Sequence, residues 1–327
     1  MFSSVKRRLQ RRIAGIVRGE VRQTLSEILP QVLQFHRSPD EERQSYYDHT
    51  KNPLQNLDTF AGVKDALLDL GIPVQETDID IADFERWLET FSEIRKHYAF
   101  GGPVAVEKCL QHYLVFRYLR LAADDVYIDV GAEGSPWAAV LNRRGIRSYR
   151  LDLTYRSGIH GIDIGADAGD TKLPEGFASA LSAQDAFENF IGEDADIRFV
   201  RETARILNEK GRYAIVPLYV DTTYFVTVSP YGDLRDVAID QAAKRVWRDD
   251  EYQSVPFSRH YSPEAFKNRI FSNISETMIG KVFYFRNLPD VMRRYPGQRI
   301  VSFFMFHCER RSVGQAANPS LGRKGGA

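Results

Sequence analysis

The chain has 327 residues, and its 44 lysines and arginines balance 44 aspartates and glutamates, so no global positive field points to nucleic acid. With 43% hydrophobic and 27% charged residues the composition is that of a soluble globular protein, and no apolar run approaches the roughly 18–20 residues of a membrane span. Two distant cysteines, Cys109 and Cys308, make neither a disulfide framework nor a metal spacing, which fits a reducing cytoplasm, and the N-terminus lacks the apolar core of a secretory signal.

The first segment, 1–35, places Val5, Leu9, Ile13, Ile16, Val17, Val21, Leu25, Ile28 and Leu29 at helical spacing. Lys6, Arg7, Arg8, Arg11, Arg12 and Arg18 crowd its early turns. It is expected to be a basic amphipathic helix that packs on its own domain, pairs with another copy, or lies peripherally on the inner face of an anionic membrane. Residues 36–57 are polar without a period and predict a linker or irregular loop. Helices follow over about 58–70, from an N-cap at Thr77 or Asp78, and over about 103–121. Together, 58–121 predicts a helical cover.

From 124 the pattern changes. VYIDV (126–130) is a buried-strand run, and SPWAAVLNRRG predicts a helix with Ser135 at the N-cap, Pro136 at the first position and Gly145 past the end. SYRLDL (148–153), HGIDIG (160–165), FASALSAQ (177–184) and RYAIVPLYV (212–220) predict further strands. The helix before the last of these is expected to stop at Gly211. Alternation of strands and helices implies crossovers and a parallel sheet covered on both faces. Residues 221–280 are aromatic and irregular, with helices expected near 233–246 and from Ser262-Pro263. Two closing strands are expected at 281–286 and 299–310, and a disordered tail at 312–327.

In such sheets ligands bind beyond the carboxyl ends of the strands, at the switch in strand order. Strand one ends at Asp129-Val130-Gly131, where glycine permits a tight turn. Strand two ends at Asp152, 23 residues after Asp129, where an acid can accept hydrogen bonds from both ribose hydroxyls.

From about 124 to 310 the chain resembles the class I S-adenosylmethionine-dependent methyltransferases. VYIDVGAEGSP is similar to their first motif, hhDhGxGxG. GDTKLPEGFASALSAQDAFENF resembles their segment of an acid, Leu-Pro, a strand and a short Glu-Asn element. RFVRETARILNEKGRYAIVPL resembles the run before strand five, and FSRHYSPEAF the stretch before a late helix. The resemblance implies an α/β, Rossmann-like, seven-stranded, mostly parallel sheet with helices on both faces, preceded by a helical N-terminal region and spanning 122–311. It implies S-adenosylmethionine as cofactor and methyl transfer to oxygen or nitrogen of a small-molecule or glycan-like acceptor, with 221–280 as the acceptor wall.

By the same resemblance, Asp129, Gly131, Ala132, Glu133 and Gly134 shape the turn at the methionine end. Asp152 and Leu153 hold the ribose side, and Asp170 and Thr171, with Asp167 as rival, face the adenine. Ser182, Ala183 and Gln184 line the pocket beside the methyl group. Candidates for a general base are His260, Asp185 and His160, and Glu188 and Asn189 are candidates to face the substrate. No metal-ligand cluster is expected. Departures from the motif are Glu133 at the second glycine, Ser135 at the third, and Ala178 where an acid often opens strand four. Glu133 favours an alternative: a catalytically silent methyltransferase-like binding or scaffold module.

Overall fold

The computed structural model describes residues 53–228, 234, 236–247 and 257–311, which all fall in one compact unit. The expected helix over 1–35, residues 36–52 of the expected linker, and the tail over 312–327 lie outside the described residues. The last part of that linker is structured: Pro53–Gln55 forms a 3-10 turn, and helix α1 (Leu57–Asp69) begins within it.

Strand β1 (Val74–Thr77) follows, then helices α2 (Ile81–Thr90), α3 (Ser92–Tyr98) and α4 (Ala105–Tyr118). The α2 cap is Asp80, whose carboxylate accepts from the Asp83 amide at 2.8 Å, rather than Thr77 or Asp78. Thr77 is in the strand, and Asp78 pairs with Arg286 at 2.7 Å. Because β1 pairs in parallel with a late strand, the helical cover is part of the main body. Its rings surround Trp137, which is fully buried against Trp87, Phe91, His112 and Phe116.

The core strands are β2 (Val126–Val130), β3 (Arg147–His160), β4 (Asp163–Gly165), β5 (Ala178–Gln184) and β6 (Leu207–Val216). Helix α5 (Trp137–Arg143) connects β2 to β3, and α6 (Ala195–Ile206) connects β5 to β6. Three short strands, β7 (Phe225–Val228), β8 (Lys244–Trp247) and β9 (Phe257–His260), form a separate sheet in the order β8-β7-β9. Helix α7 (Pro263–Arg269), capped by Ser262 as expected, leads to β10 (Met278–Phe285), α8 (Leu288–Arg294) and β11 (Phe304–Arg310).

The main sheet has eight strands, not seven, in the order β1-β10-β11-β6-β5-β2-β3-β4. The extra strand is β1. Among the described residues, β11 is the strand that runs antiparallel to both its neighbours, β10 and β6. The chain leaves β2 toward β3 and β4, then returns to β5 on the other side of β2. The switch in strand order therefore lies between β2 and β5.

Three further expectations are corrected. Helix α6 ends at Ile206, and Gly211 lies inside β6, because a bulge lets both Leu207 and Arg212 pair with β5. Lys244–Trp247, expected helical, is strand β8, paired to β7. The strand expected at 160–165 is divided, His160 ending β3 and Asp163 opening β4: residues 150–152 pair with β4, and the chain turns so that Ser157 to His160 pair back along the same strand. This return crosses Gly165 so closely that a Cβ there would strike the backbone of Tyr155 and Arg156.

Candidate active site

The turn after β2 is built from the strand outward. Gly131 has φ +67°, and a Cβ on it would lie 2.5 Å from the Ala186 Cβ, so the position demands glycine. Its amide donates to the Leu151 carbonyl at 2.8 Å, tying the turn to β3. Asp129 points inward and is 2% exposed. It accepts from Ser135 Oγ at 2.7 Å and from Gln184 Nε2 at 3.0 Å. Ser135 thus holds Asp129, and its Oγ also accepts from the Trp137 amide at 3.3 Å; the helix itself starts one residue later than expected, with Pro136 at the N-cap and Trp137 at the first position. Burial pushes the Asp129 carboxyl up to about 6, against the pull of Ser135, Gln184 and Tyr127.

That shift gives a pH dependence. Between about pH 4 and 6 the folded state holds a proton that the unfolded state has lost, so this carboxyl favours folding below pH 4 and the benefit disappears as pH rises through 6. Urea unfolding of the wild type is expected to lose about 3 kcal/mol from this source between pH 4 and 7. Asp129→Asn is expected to flatten that slope; an unchanged slope contradicts the assignment.

Glu133 is exposed, and its backbone amide donates to Asp152 Oδ2 at 3.0 Å. Asp152, at the edge of the same crevice, also accepts from the Thr154 amide and hydroxyl, each at 3.0 Å. The acid is held in place by three donors, and each carboxylate oxygen has room for more than one bond. Beside it, Tyr155 donates to the Ala132 carbonyl at 3.0 Å, so the return segment borders the turn. Ala132 is buried, Gly134 turns with φ +76°, and Leu153 is 75% exposed.

Other expected residues lie elsewhere. Thr171 is buried, and its amide and hydroxyl both donate to Glu202 of α6, at 2.9 and 2.5 Å. Asp170 pairs with Lys172 and Asp167 with Arg198, at 2.6 and 2.9 Å. Their side chains thus engage α6 and a neighbouring lysine. Ser182 and Ala183 are buried in the sheet, with Ser182 Oγ 2.5 Å from the Tyr127 hydroxyl, and only Gln184 reaches the turn. His160 is exposed at the end of β3, separated from β5 by β2, with Nε2 2.9 Å from the Ser157 carbonyl.

Two of the base candidates converge. Asp185 follows β5 with φ +51°, uncommon for a residue with a side chain and typical of strained functional positions. Lys108 of α4 forms an ion pair with it, and the Tyr219 hydroxyl donates to it at 3.3 Å. Lys108 holds Asp185 below the usual carboxylate range despite burial. The Tyr219 ring lies 5.0 Å from that of His260, which stacks on Phe225 at 4.3 Å. Glu188, 5% exposed, stands in the 3-10 turn just beyond. Lys108 and Tyr219 were not identifiable from sequence: they come from 77 residues before and 34 residues after Asp185. The Tyr98 hydroxyl of α3 and His112 Nε2 of α4 are hydrogen-bonded at 3.0 Å. Among the described residues no group of three His, Cys, Asp or Glu could hold a metal, and no helix is long and apolar enough to cross a membrane.

No protein-family model and no curated protein sequence matches the chain. Solved structures are similar to it at low identity. A protein of Anabaena variabilis described as a methyltransferase of an antibiotic biosynthesis pathway is 17% identical over 32% of this chain, with a TM-score of 0.28. The chain spans only 43% of that protein's length. The 1,6-didemethyltoxoflavin-N1-methyltransferase of Burkholderia thailandensis is 10% identical, covering 84% of this chain and 98% of its own, with a TM-score of 0.39. Geranyl diphosphate C-methyltransferase of Streptomyces coelicolor is 15% identical, covering 62% and 80%, with a TM-score of 0.38. Independently of those matches, the strand order with β11 reversed between β10 and β6, the glycine turn after β2 and the acid closing the first leg of β3 give this domain the fold of the class I S-adenosylmethionine-dependent methyltransferases.

Proposed function

We propose that the protein binds S-adenosylmethionine across the ends of β2, β3 and β5 and transfers its methyl group to nitrogen or oxygen of a small-molecule or glycan-like acceptor. The observation that carries this reading is the pairing of the Gly131 turn with Asp152 on the adjacent strand, at the switch point of the sheet. Asp152 would accept from the ribose hydroxyls, and the turn would receive the methionine end. The bound cofactor supplies the electrophilic methyl. The chain's own contribution is positioning, with the acceptor held in line beside Asp185 and Tyr219. The alternative of a silent scaffold rested on a carboxylate inside the turn, and the Glu133 residue is exposed.

Thermal unfolding tests the reading. S-adenosylhomocysteine at about 100 times its Kd is expected to add about 2.7 kcal/mol, raising Tm by roughly 4–5 °C. NAD under the same conditions is expected to leave Tm unchanged. A shift with NAD and none with S-adenosylhomocysteine would point instead to a dehydrogenase.

A further inference from the structure

The helical cover contains a cavity of about 590 Å3, lined by residues of α2, α3, the start of α4 and the end of α8. Its apolar wall is Leu88, Ala99, Ala105, Val106, Cys109 and Tyr295. Packed interiors leave few voids larger than a water molecule, and small-molecule sites occupy roughly 300–1,000 Å3. The cavity lies on a different flank of α4 from the candidate active site. Cys109 faces the cavity, whereas Lys108, one position earlier and about 100° round the helix, pairs with Asp185. Beside the wall residue Ala99, the ring of Phe100 is 99% exposed, so the chain leaves further apolar surface in water there.

The charges of the cavity do not cancel evenly. Around it, Arg86 and Arg117 both pair with Asp83, at 3.3 and 2.6 Å, and Arg144 pairs with Glu93 at 3.0 Å. In the lining, Arg294 and Glu85 neutralise each other at 2.6 Å. Arg95 also lines the cavity, yet it makes no hydrogen bond or ion pair with any described residue. The nearest acid in sequence, Glu93, is turned to Arg144, whose guanidinium pulls its carboxyl down to about 2. The charge of Arg95 reaches inward. Burial pushes the Cys109 thiol up to about 12, and the opposing pull comes from Arg95. Glu89, the remaining charge of the lining, is exposed and does not act on Cys109. The inner part of the cavity is therefore apolar and faces a cation without a counter-charge.

We propose that this cavity is a binding site, distinct from the cofactor turn, for a small apolar molecule that carries one anionic group, a carboxylate or a phosphate, received by Arg95. A guanidinium matches either group with two parallel hydrogen bonds. The apolar body covers Leu88, Val106 and the Cys109 thiol, which burial keeps protonated, and the anion supplies the charge that the cover withholds from Arg95. The site stands whether or not the methyltransferase reading does, because none of its lining belongs to the Gly131 turn, to Asp152 or to the end of β5.

The experiment titrates the full chain calorimetrically with three probes of one shape: 2-naphthoate, 2-naphthyl phosphate and the neutral 2-naphthamide. At least one anion is expected to bind one-to-one with a Kd below about 1 mM, and at least tenfold more tightly than the amide. The two anions separate a carboxylate site from a phosphate site. Arg95→Gln is expected to remove that tenfold preference. Arg95 is exposed and unpaired, so the variant is expected to keep a Tm near that of wild type. Ala99→Trp, which fills the cavity from an exposed position, is expected to weaken all three probes together. Saturating S-adenosylhomocysteine is expected to leave the anion bound. No binding of either anion, an amide that binds equally well, an unchanged Arg95→Gln variant, or displacement by S-adenosylhomocysteine each overturns the proposal.

Discussion

Asp196→Ala is expected to lower stability by about 3–5 kcal/mol, the largest loss anticipated for a single side chain. Asp196 is fully buried on α6 and joins three elements. Arg269 of α7 reaches it with Nε at 2.9 Å and Nη2 at 2.7 Å, and the Tyr261 hydroxyl donates at 2.8 Å. Arg259 of β9, itself fully buried, lies with Nη1 2.7 Å from the same carboxylate. Its Nε has no hydrogen-bond partner, so this ion pair is its main compensation. Removing the carboxylate leaves two guanidiniums facing each other, one with no access to water. Urea unfolding measures the loss. The double variant Asp196→Ala with Arg259→Met is expected to recover part of it, because the buried charge leaves with its partner. A single variant as stable as wild type would contradict the role given to Asp196. Tyr261 also stacks on Tyr224 and Phe187, the latter in the turn that carries Glu188.

What could be read in the sequence follows what is local. VYIDV is a strand by its own residues, and the Gly131 turn and the helix after Ser135-Pro136 are set by neighbours in the chain. Asp152 was legible because a parallel pair fixes how far apart two strand ends can be. β1 was not: VQET is short and polar, and only pairing with β10 makes it a strand. Lys244–Trp247 follows two alanines and reads as helix, but its pairing with β7 overrides propensity. The strand expected at 160–165 is divided because the Gly161 turn closes a hairpin between β3 and β4.

The same division holds at the site. Asp185, Glu188 and His260 were visible as residue types, each with an ordinary structural explanation. Their meeting around Tyr219 and Lys108 depends on α4 packing against the end of β5, a contact no motif encodes. The exposure of Glu133 was equally out of reach, because it depends on the amide of that residue turning toward Asp152.

The second large effect concerns the cofactor. Hydrogen bonds to a charged acceptor are worth about 1.5–3 kcal/mol each. Asp152 already accepts from Glu133 and Thr154, so its two bonds to a ribose are expected at or below the low end, about 2–3 kcal/mol together. Asp152→Ala should then weaken S-adenosylhomocysteine roughly 30–150-fold. Its loss also frees the Glu133 amide, which loosens the turn and adds to the effect. Calorimetric titration of S-adenosylhomocysteine into the wild type and into Asp152→Ala tests this directly. The account predicts saturable one-to-one binding to the wild type and a loss of that size in the variant. No binding to the wild type, or equal affinity in both proteins, would contradict it.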